Sequence, residues 1–507
     1  MGLYDFTLYD VIRRNSRIYG NRPALLDPVQ DHSLTFRQVR QAVDSLATRL
    51  QAAGCRKGDR IGIMGKNCIE YFLLYGAAAA LGAIVIPVNW RLSADEAAYV
   101  LNDAEPSLVF ADDDNREWVA QTRAKLKQEP RFFNLAAGRG PFDEIATVSA
   151  DSDGFAPQPV TADDGFVIIH TAAVYGQPRG ALVSQGNLLG ANMLLMHGIG
   201  LTARDVHLNV LPMFHVAGLF MAFCAFHAGC LNISVPKFDA EQVVDLIANR
   251  KVSLMFTFAP ILKSILEKQQ ETGADISALR TVMGLEAPDD IKAYQETSGG
   301  TFHVMYGQTE TSMLASLGTY DACPGAAGRP VANSAVQLFN DAGRPVETGQ
   351  VGEIVMRGPM VFQGYWNLEE DTAQTFRGGW HHTGDLGRMD ENGYLWYAGR
   401  KADKELIKPG GENVYPAEVE KAVLGHAAVE AVVVFGVPDP KWKEGIKAVC
   451  RLKAGEQLTA GELTEFVGSR IARYKKPQYV EFVETLPTLA NGDIDREEVK
   501  RLYGQED

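Results

Sequence analysis

An α/β architecture is expected for this 507-residue chain: a large N-terminal domain of βαβ-layered sheets with a small β-rich subdomain, then a smaller α+β domain. Three observations predict it. The chain is too long for one ordinary hydrophobic core. Apolar strand-like runs alternate with helical periodicity through the first half, the pattern of βαβ units and a largely parallel sheet. After about Gly328 the character changes to short strands separated by Gly, Asp and Asn turns, before helix and strand alternate again over the last ~100 residues, the size of one small domain.

The elements follow in order. From Phe36 apolar residues recur every three to four positions and stop at Gly54, an amphipathic helix with a glycine end signal. Asp59–Met64 reads as a short buried strand. The longest apolar stretch, Phe72–Val88, carries five alanines, two glycines and Pro87. It falls short of the ~20 residues that span a bilayer, so it reads as a buried helix running into the strand Ala83–Pro87. Further strands are expected around Leu108–Ala111, Val167–Ile169, Val206–Leu211 and Val252–Phe256. The β-rich subdomain, about 328–398, takes in Ala335–Phe339, Gly352–Arg357 and Gly393–Tyr397. A charged run after Arg400, closed by Pro409-Gly410-Gly411, reads as a linker between a domain of residues 1–400 and one of residues 405–507.

Composition narrows the function. Hydrophobic residues make up 46% and charged residues 22%, the profile of a globular enzyme. A net charge of -14 argues against broad nucleic-acid binding, which rests on Lys and Arg neutralising phosphates. A local basic patch for an anionic small molecule remains compatible with it. The six cysteines are scattered, without a CxxC pair or zinc spacing, as expected of idle thiols in a reducing cytosol. The N-terminus has no apolar h-region and is not a secretory signal. A soluble, cytoplasmic protein with no membrane span is expected.

Three segments recur in one order, roughly 75 and 15 residues apart: Tyr306-Gly307-Gln308-Thr309-Glu310, Gly379-Trp-His-His-Thr-Gly-Asp385, and Gly399-Arg400 with Gly410-Gly411-Glu412 running on to Glu420. With them the chain resembles, over essentially its whole length, the adenylate-forming superfamily of acyl-CoA synthetases, luciferases and peptide-synthetase adenylation domains. A lone YGQTE would be a polar turn after a strand. A threonine beside a glutamate also offers a hydroxyl for a phosphate and a hard oxygen for Mg²⁺. The resemblance implies that Thr309 contacts the α-phosphate, Glu310 holds the magnesium and Tyr306 packs on the adenine, with Gly307 and Gln308 in the same loop. A Gly-Asp pair is usually a turn, but a fixed carboxylate can accept both hydroxyls of a ribose, the role implied for Asp385. Arg400 would reach ribose or phosphates with its fork of donors.

Other segments join by the same resemblance. Leu211-Pro-Met-Phe-His215-Val-Ala-Gly218 looks like the substrate gate, placing His215 at the acyl or phosphate entrance; a lone histidine on an apolar stretch is otherwise a core residue. Glu286-Ala287-Pro288 and Tyr397 fall among the nucleotide contacts. Lys408, Gly410, Gly411 and Glu412 resemble the segment lining the pantetheine tunnel, and Tyr474-Lys475-Lys476-Pro477 the basic stretch near the coenzyme A entrance. A domain rotation between half-reactions is implied, with Asp403 or Lys404 in a hinge at 401–404.

Two departures stand out. The superfamily's phosphate loop is rich in Ser, Thr and Gly and ends Pro-Lys-Gly. Here the run is His170-Thr171-Ala-Ala-Val-Tyr-Gly176-Gln-Pro-Arg179-Gly180. Of the Ser and Thr hydroxyls only that of Thr171 is left, so the loop must rely on backbone N–H groups and the Arg179 guanidinium. Near the C-terminus, Leu486-Pro-Thr-Leu-Ala-Asn-Gly492-Asp493 puts Asp493 where the resemblance expects the lysine that bridges carboxylate and α-phosphate. An anion there repels both groups and weakens adenylation, unless Lys404 or Lys408 supplies the charge.

The reading is an AMP-forming acid:CoA ligase acting on a hydrophobic acid, with ATP/AMP, Mg²⁺ and coenzyme A, either impaired in adenylation or specialised away from it. The alternatives are an adenylating enzyme with another acceptor and a non-catalytic acyl-AMP or acyl-CoA binding protein. Its partners are small molecules, and a homodimer is common among similar proteins.

Overall fold

The computed structural model describes residues 5–138, 140–149, 155–171, 178–401, 405–409, 412, 414–440, 442–489 and 494–504. The chain divides into two compact units. One comprises Met1–Trp90, Leu101–Ile169 and Gly180–Gly399; the other comprises Arg91–Val100, His170–Arg179 and Arg400–Asp507.

Among the described residues the strands form sheets of nine, seven, four and three members. The nine-stranded sheet is parallel from Pro23–Asp27 through Leu231–Ser234, Val206–Asn209, Leu254–Phe258 and Thr281–Leu285 to Thr301–Tyr306. Antiparallel strands Ser316–Thr319 and Arg329–Pro330 extend one edge. The seven-stranded sheet is parallel across Ile84–Pro87, Arg60–Met64, Leu108–Ala111 and Arg131–Asn134.

Two helices are apolar all round and are buried on every side, as such helices must be. Ile69–Leu81 buries every residue but Glu70, and Val216–Ala228 buries all of its residues. Their rings pack together, Phe72 on Phe223 at 4.4 Å and Tyr75 edge-on to Phe223 at 5.6 Å. The apolar stretch Phe72–Val88 is thus a buried helix, closed by Gly82 at φ 69°, that feeds the strand Ile84–Pro87. The described helices include none long and apolar enough to cross a membrane.

Some boundaries move. The strand expected at Val252–Phe256 runs Leu254–Phe258, and that at Gly393–Tyr397 runs Leu395–Arg400. The first shift has a cause. A parallel strand covered on both faces reads as a continuous apolar run, and such a run has no alternation to fix its ends. The four-stranded sheet is antiparallel between Ala335–Phe339, Val351–Arg357 and His381–Met389. In the second unit a three-stranded sheet, Val429–Asp439, Lys443–Leu452 and Tyr479–Phe482, is packed by helices Pro416–Leu424 and Ala460–Gly468.

Candidate active site

The parallel strands of the nine-stranded sheet all run the same way, so their carboxyl ends gather along one edge, where open α/β sheets bind ligands. Cross-strand register carries Phe258 beside Leu285. The segments leaving these ends are Leu211–His215, Ala259-Pro260, Glu286-Ala287 and Gly307–Thr311.

The loop after Tyr306 is held from within. Gln308 N–H donates to the Thr311 hydroxyl at 2.9 Å, and a short 3₁₀ turn spans Thr309–Thr311. Ser312 and Met313 then adopt φ of 50° and 76°, a left-handed excursion that the Ser312 hydroxyl supports by donating to Met360 O at 2.7 Å. A Cβ on Gly307 would stand 1.9 Å from the Met313 carbonyl oxygen. The glycine is therefore required by the loop's own closure, beyond the ligand approach that the sequence suggested.

Asp385 comes to this loop from the strand His381–Met389. It is 1% exposed, and its Oδ2 accepts from the Tyr306 phenol and the Gln308 amide, each at 2.6 Å. Gln308 Nε2 also donates to Thr383 O at 3.1 Å. Two residues further on, Glu310 is buried, and its Oε1 accepts from the Tyr365 phenol at 2.9 Å. Glu310 and Asp385 thus meet around one loop. Tyr365 was absent from the sequence-derived candidates; it lies on the two-residue strand Gly364–Tyr365, too short to carry any pattern. Tyr397 sets its ring 6.3 Å from that of Tyr306.

A magnesium ion fits this donor set. Mg²⁺ keeps waters and substrate phosphates and takes only one or two protein carboxylates. Glu310 with the neighbouring Thr309 hydroxyl meets that need, and the described residues contain no larger His, Cys, Asp and Glu cluster.

His215 caps the helix Val216–Ala228, its Nδ1 accepting from Ala217 N–H at 3.3 Å, and its ring meets Phe258 edge-on at 6.5 Å. Glu286 is turned inward: Oε1 accepts from Leu262 N–H at 3.2 Å, placing a carboxylate at the start of helix Ile261–Thr272. Ala287 and Pro288 start the helix Pro288–Ser298. Gly180 offers its carbonyl to Trp366 N–H at 2.7 Å.

The remaining candidates belong to the second unit. Thr171 Oγ1 donates to Arg179 O at 3.4 Å. Arg400 donates to the Tyr415 hydroxyl at 3.0 Å, Lys408 N–H donates to Glu444 at 2.6 Å, and Glu412 pairs with Arg91 at 2.7 Å. Lys475 is not solvated: its side chain is 3% exposed, with Nζ 2.6 Å from Glu96 Oε1 and 2.5 Å from Glu418 Oε1. The ammonium is enclosed by two carboxylates, which gives it a structural role in addition to the coenzyme A contact the resemblance implies. Burial disfavours ionisation of both carboxyls. Lys475 overcomes this at Glu96, whose pKa is lowered, but not at Glu418, whose pKa is raised. Tyr474 beside it is half-buried, and burial raises its phenol pKa. Gly176, Asp403, Lys404, Gly410, Gly411 and Asp493 lie outside the described residues.

Residues 12–366 match the AMP-binding enzyme family, and residues 418–493 match the AMP-binding enzyme C-terminal domain. The chain belongs to the AMP-binding enzyme family. Within this adenylate-forming family it is similar to feruloyl-CoA synthase of Amycolatopsis sp, 34% identical over 93% of this chain and 94% of the relative. It is 33% identical to indoleacetate–CoA ligase of Aromatoleum aromaticum over 98% of both chains. Among solved structures, o-succinylbenzoate CoA synthetase of Bacillus subtilis in complex with its acyl-adenylate intermediate OSB-AMP superposes with a TM-score of 0.70 at 27% identity. That match covers 99% of this chain and 100% of that one. The chain is an AMP-forming acid:CoA ligase. As in other family members, ATP or AMP and coenzyme A are its ligands.

Proposed function

We propose that this ligase activates a hydrophobic acid, with an aromatic acid favoured, and that Asp493 biases it away from the adenylation half-reaction. The Tyr306–Gln308–Asp385 network beside Glu310 carries the site assignment. The acid's chemistry is supported by the apolar residues at the strand ends, Phe258 and Leu285 among them, and by the aryl acids named for the two relatives.

In the first half-reaction the acid's carboxylate oxygen attacks the α-phosphorus. A C(O)–O–P bond forms, the Pα–O–Pβ bond breaks and pyrophosphate leaves. Asp385 would hold the ribose hydroxyls, and Thr309 the α-phosphate. Mg²⁺, held by Glu310, would neutralise phosphate charge when bound. Catalysis is then positioning and charge stabilisation, with no covalent protein intermediate. In the second half-reaction the coenzyme A thiol attacks the acyl carbon. The C–S bond forms, the C–O bond to AMP breaks, and the thiol proton passes to solvent. Water must be kept out, since it would hydrolyse the adenylate. The small loops at Gly307 and His215 line the acyl entrance in this reading.

By the resemblance, Asp493 takes the sequence position of the lysine that would join carboxylate to α-phosphate, and an anion in that role raises the barrier. The test is a panel of aryl and alkyl acids with ATP and coenzyme A, run on this protein and on Asp493→Lys. Acyl-adenylate formation should rise about a hundredfold in the lysine variant, equivalent to ~3 kcal/mol. No gain would remove the assigned role of position 493, while leaving the nucleotide site untouched. We further propose a cytoplasmic homodimer. The six thiols are all free, which fits a reducing compartment.

A further inference from the structure

A second concavity lies on the first unit, lined by none of the nucleotide-motif residues. It has a volume of about 230 Å³. Its lining follows from strand register. His303 pairs with Thr319, and Leu317 with Arg329, so all four side chains fall on one face of the antiparallel edge of the nine-stranded sheet. Tyr306, three residues after His303, points to the opposite face. Helix Gln185–Ile199 covers the His303 face with Leu194, His197 and Gly198, spaced three and four residues apart. The helix lies close enough that a Cβ on Gly198 would reach 2.4 Å from Leu317 Cδ2. Val331 completes the wall.

The polar side chains here are His197, His303, Thr319 and Arg329, with no carboxylate among the lining residues. His303 is 7% exposed and lines the cavity. Burial, chiefly, lowers the pKa of His303, with the Arg280 charge adding and the Thr301 backbone opposing. The ring is therefore neutral at pH 7 and can donate or accept one hydrogen bond. The Arg329 guanidinium carbon lies 4.3 Å from the Tyr394 ring centroid. Leu194, Leu317 and Val331 supply apolar surface. An apolar cavity of ~150 Å³ holds benzene, so this volume suits one ring bearing a carboxylate. A bare phosphate would leave the apolar wall unmatched.

We propose that this cavity is a second ligand site, for a monocyclic aromatic carboxylate: ring on Leu194, Leu317 and Val331, a polar substituent on His303, carboxylate toward Arg329. The site lies on the strand Thr301–Tyr306, which leads directly into the nucleotide loop. The inference does not depend on the acid assigned to the active site.

The test uses the full-length protein labelled with ¹³Cε1-histidine, saturated with AMP and titrated with 4-fluorobenzoate. The His303 resonance is assigned by its loss in His303→Gln. It should shift saturably, with a Kd on the order of 1 mM, as expected of a ligand this small. Leu317→Trp fills the cavity and should abolish the shift while acyl-CoA turnover persists. Arg329→Gln, a surface change that leaves folding intact, should raise the midpoint about tenfold. A stationary His303 resonance while the fluorine signal broadens would place the probe only in the acyl site and overturn the proposal. A His303 shift that survives both substitutions would overturn it too.

Discussion

Asp385 in the first unit and Glu418 in the second are both buried carboxylates, 1% and 7% exposed, and they are held by different chemistry. Asp385 accepts from a phenol and an amide, both neutral, at 2.6 Å. Glu418, with Glu96, closes on the Lys475 ammonium. A neutral donor satisfies a lone pair without adding a compensating charge. An ammonium cancels the charge and ties distant segments together. The difference separates a carboxylate held by neutral donors from one held by a cation, although both are buried acids beside conspicuous motifs.

The largest expected effect tests the second kind. Lys475→Met leaves two carboxylates buried without their cation and should destabilise the protein by ~3–5 kcal/mol, read as a lower urea midpoint. Adding Glu418→Gln should recover part of the loss. A cost below ~1 kcal/mol would remove the contrast.

His207 sharpens the comparison from the side of a base. It is fully buried beside the Asn232 amide at 2.8 Å, and burial lowers its pKa to about 4. Between its unfolded value near 6.5 and about 4, the unfolded chain binds a proton that the folded chain does not. Stability is therefore full above pH 6.5 and falls as pH drops through that window, by about 3 kcal/mol in all. Denaturant midpoints from pH 7 to pH 4 should show this slope, and His207→Gln should reduce it by the His207 share, leaving the part due to His227, whose pKa burial also lowers to about 4.

The carboxylate held by neutral donors comes next. Asp385→Asn keeps the shape and loses the charge, so kcat/KM for ATP should fall about a hundredfold, ~3 kcal/mol, with little change in unfolding midpoint. Tyr306→Phe removes one donor and should cost about fivefold, ~1 kcal/mol. If Asp385→Asn unfolded the protein and spared turnover, the two carboxylates would be of one kind after all.

Much of the site was readable because its chemistry is local. Thr309 and Glu310 sit in one covalent run, and the turn around Gly307 is fixed by contacts within six residues. The helix Phe36–Ala52 was equally plain, since its apolar period and its end signal are both sequence properties. Strand ends in the parallel sheet were not, because Leu254–Phe258 is buried on both faces and carries no alternation. Glu286 meets Leu262 N–H at the start of a helix 24 residues earlier in the chain. No period marks such a pairing.

What the sequence determined by itself was the order of the motifs, the donor types within each loop and the mixed α/β class, all of which rest on neighbours in the chain. Tertiary structure alone decided what each charge meets. Lys475 and Glu96 are 379 residues apart, and the face shared by His303, Leu317 and Arg329 exists only once strands pair in register. Burial sets the strength of a charge, and burial is a property of what packs against a residue, which no local stretch of sequence contains.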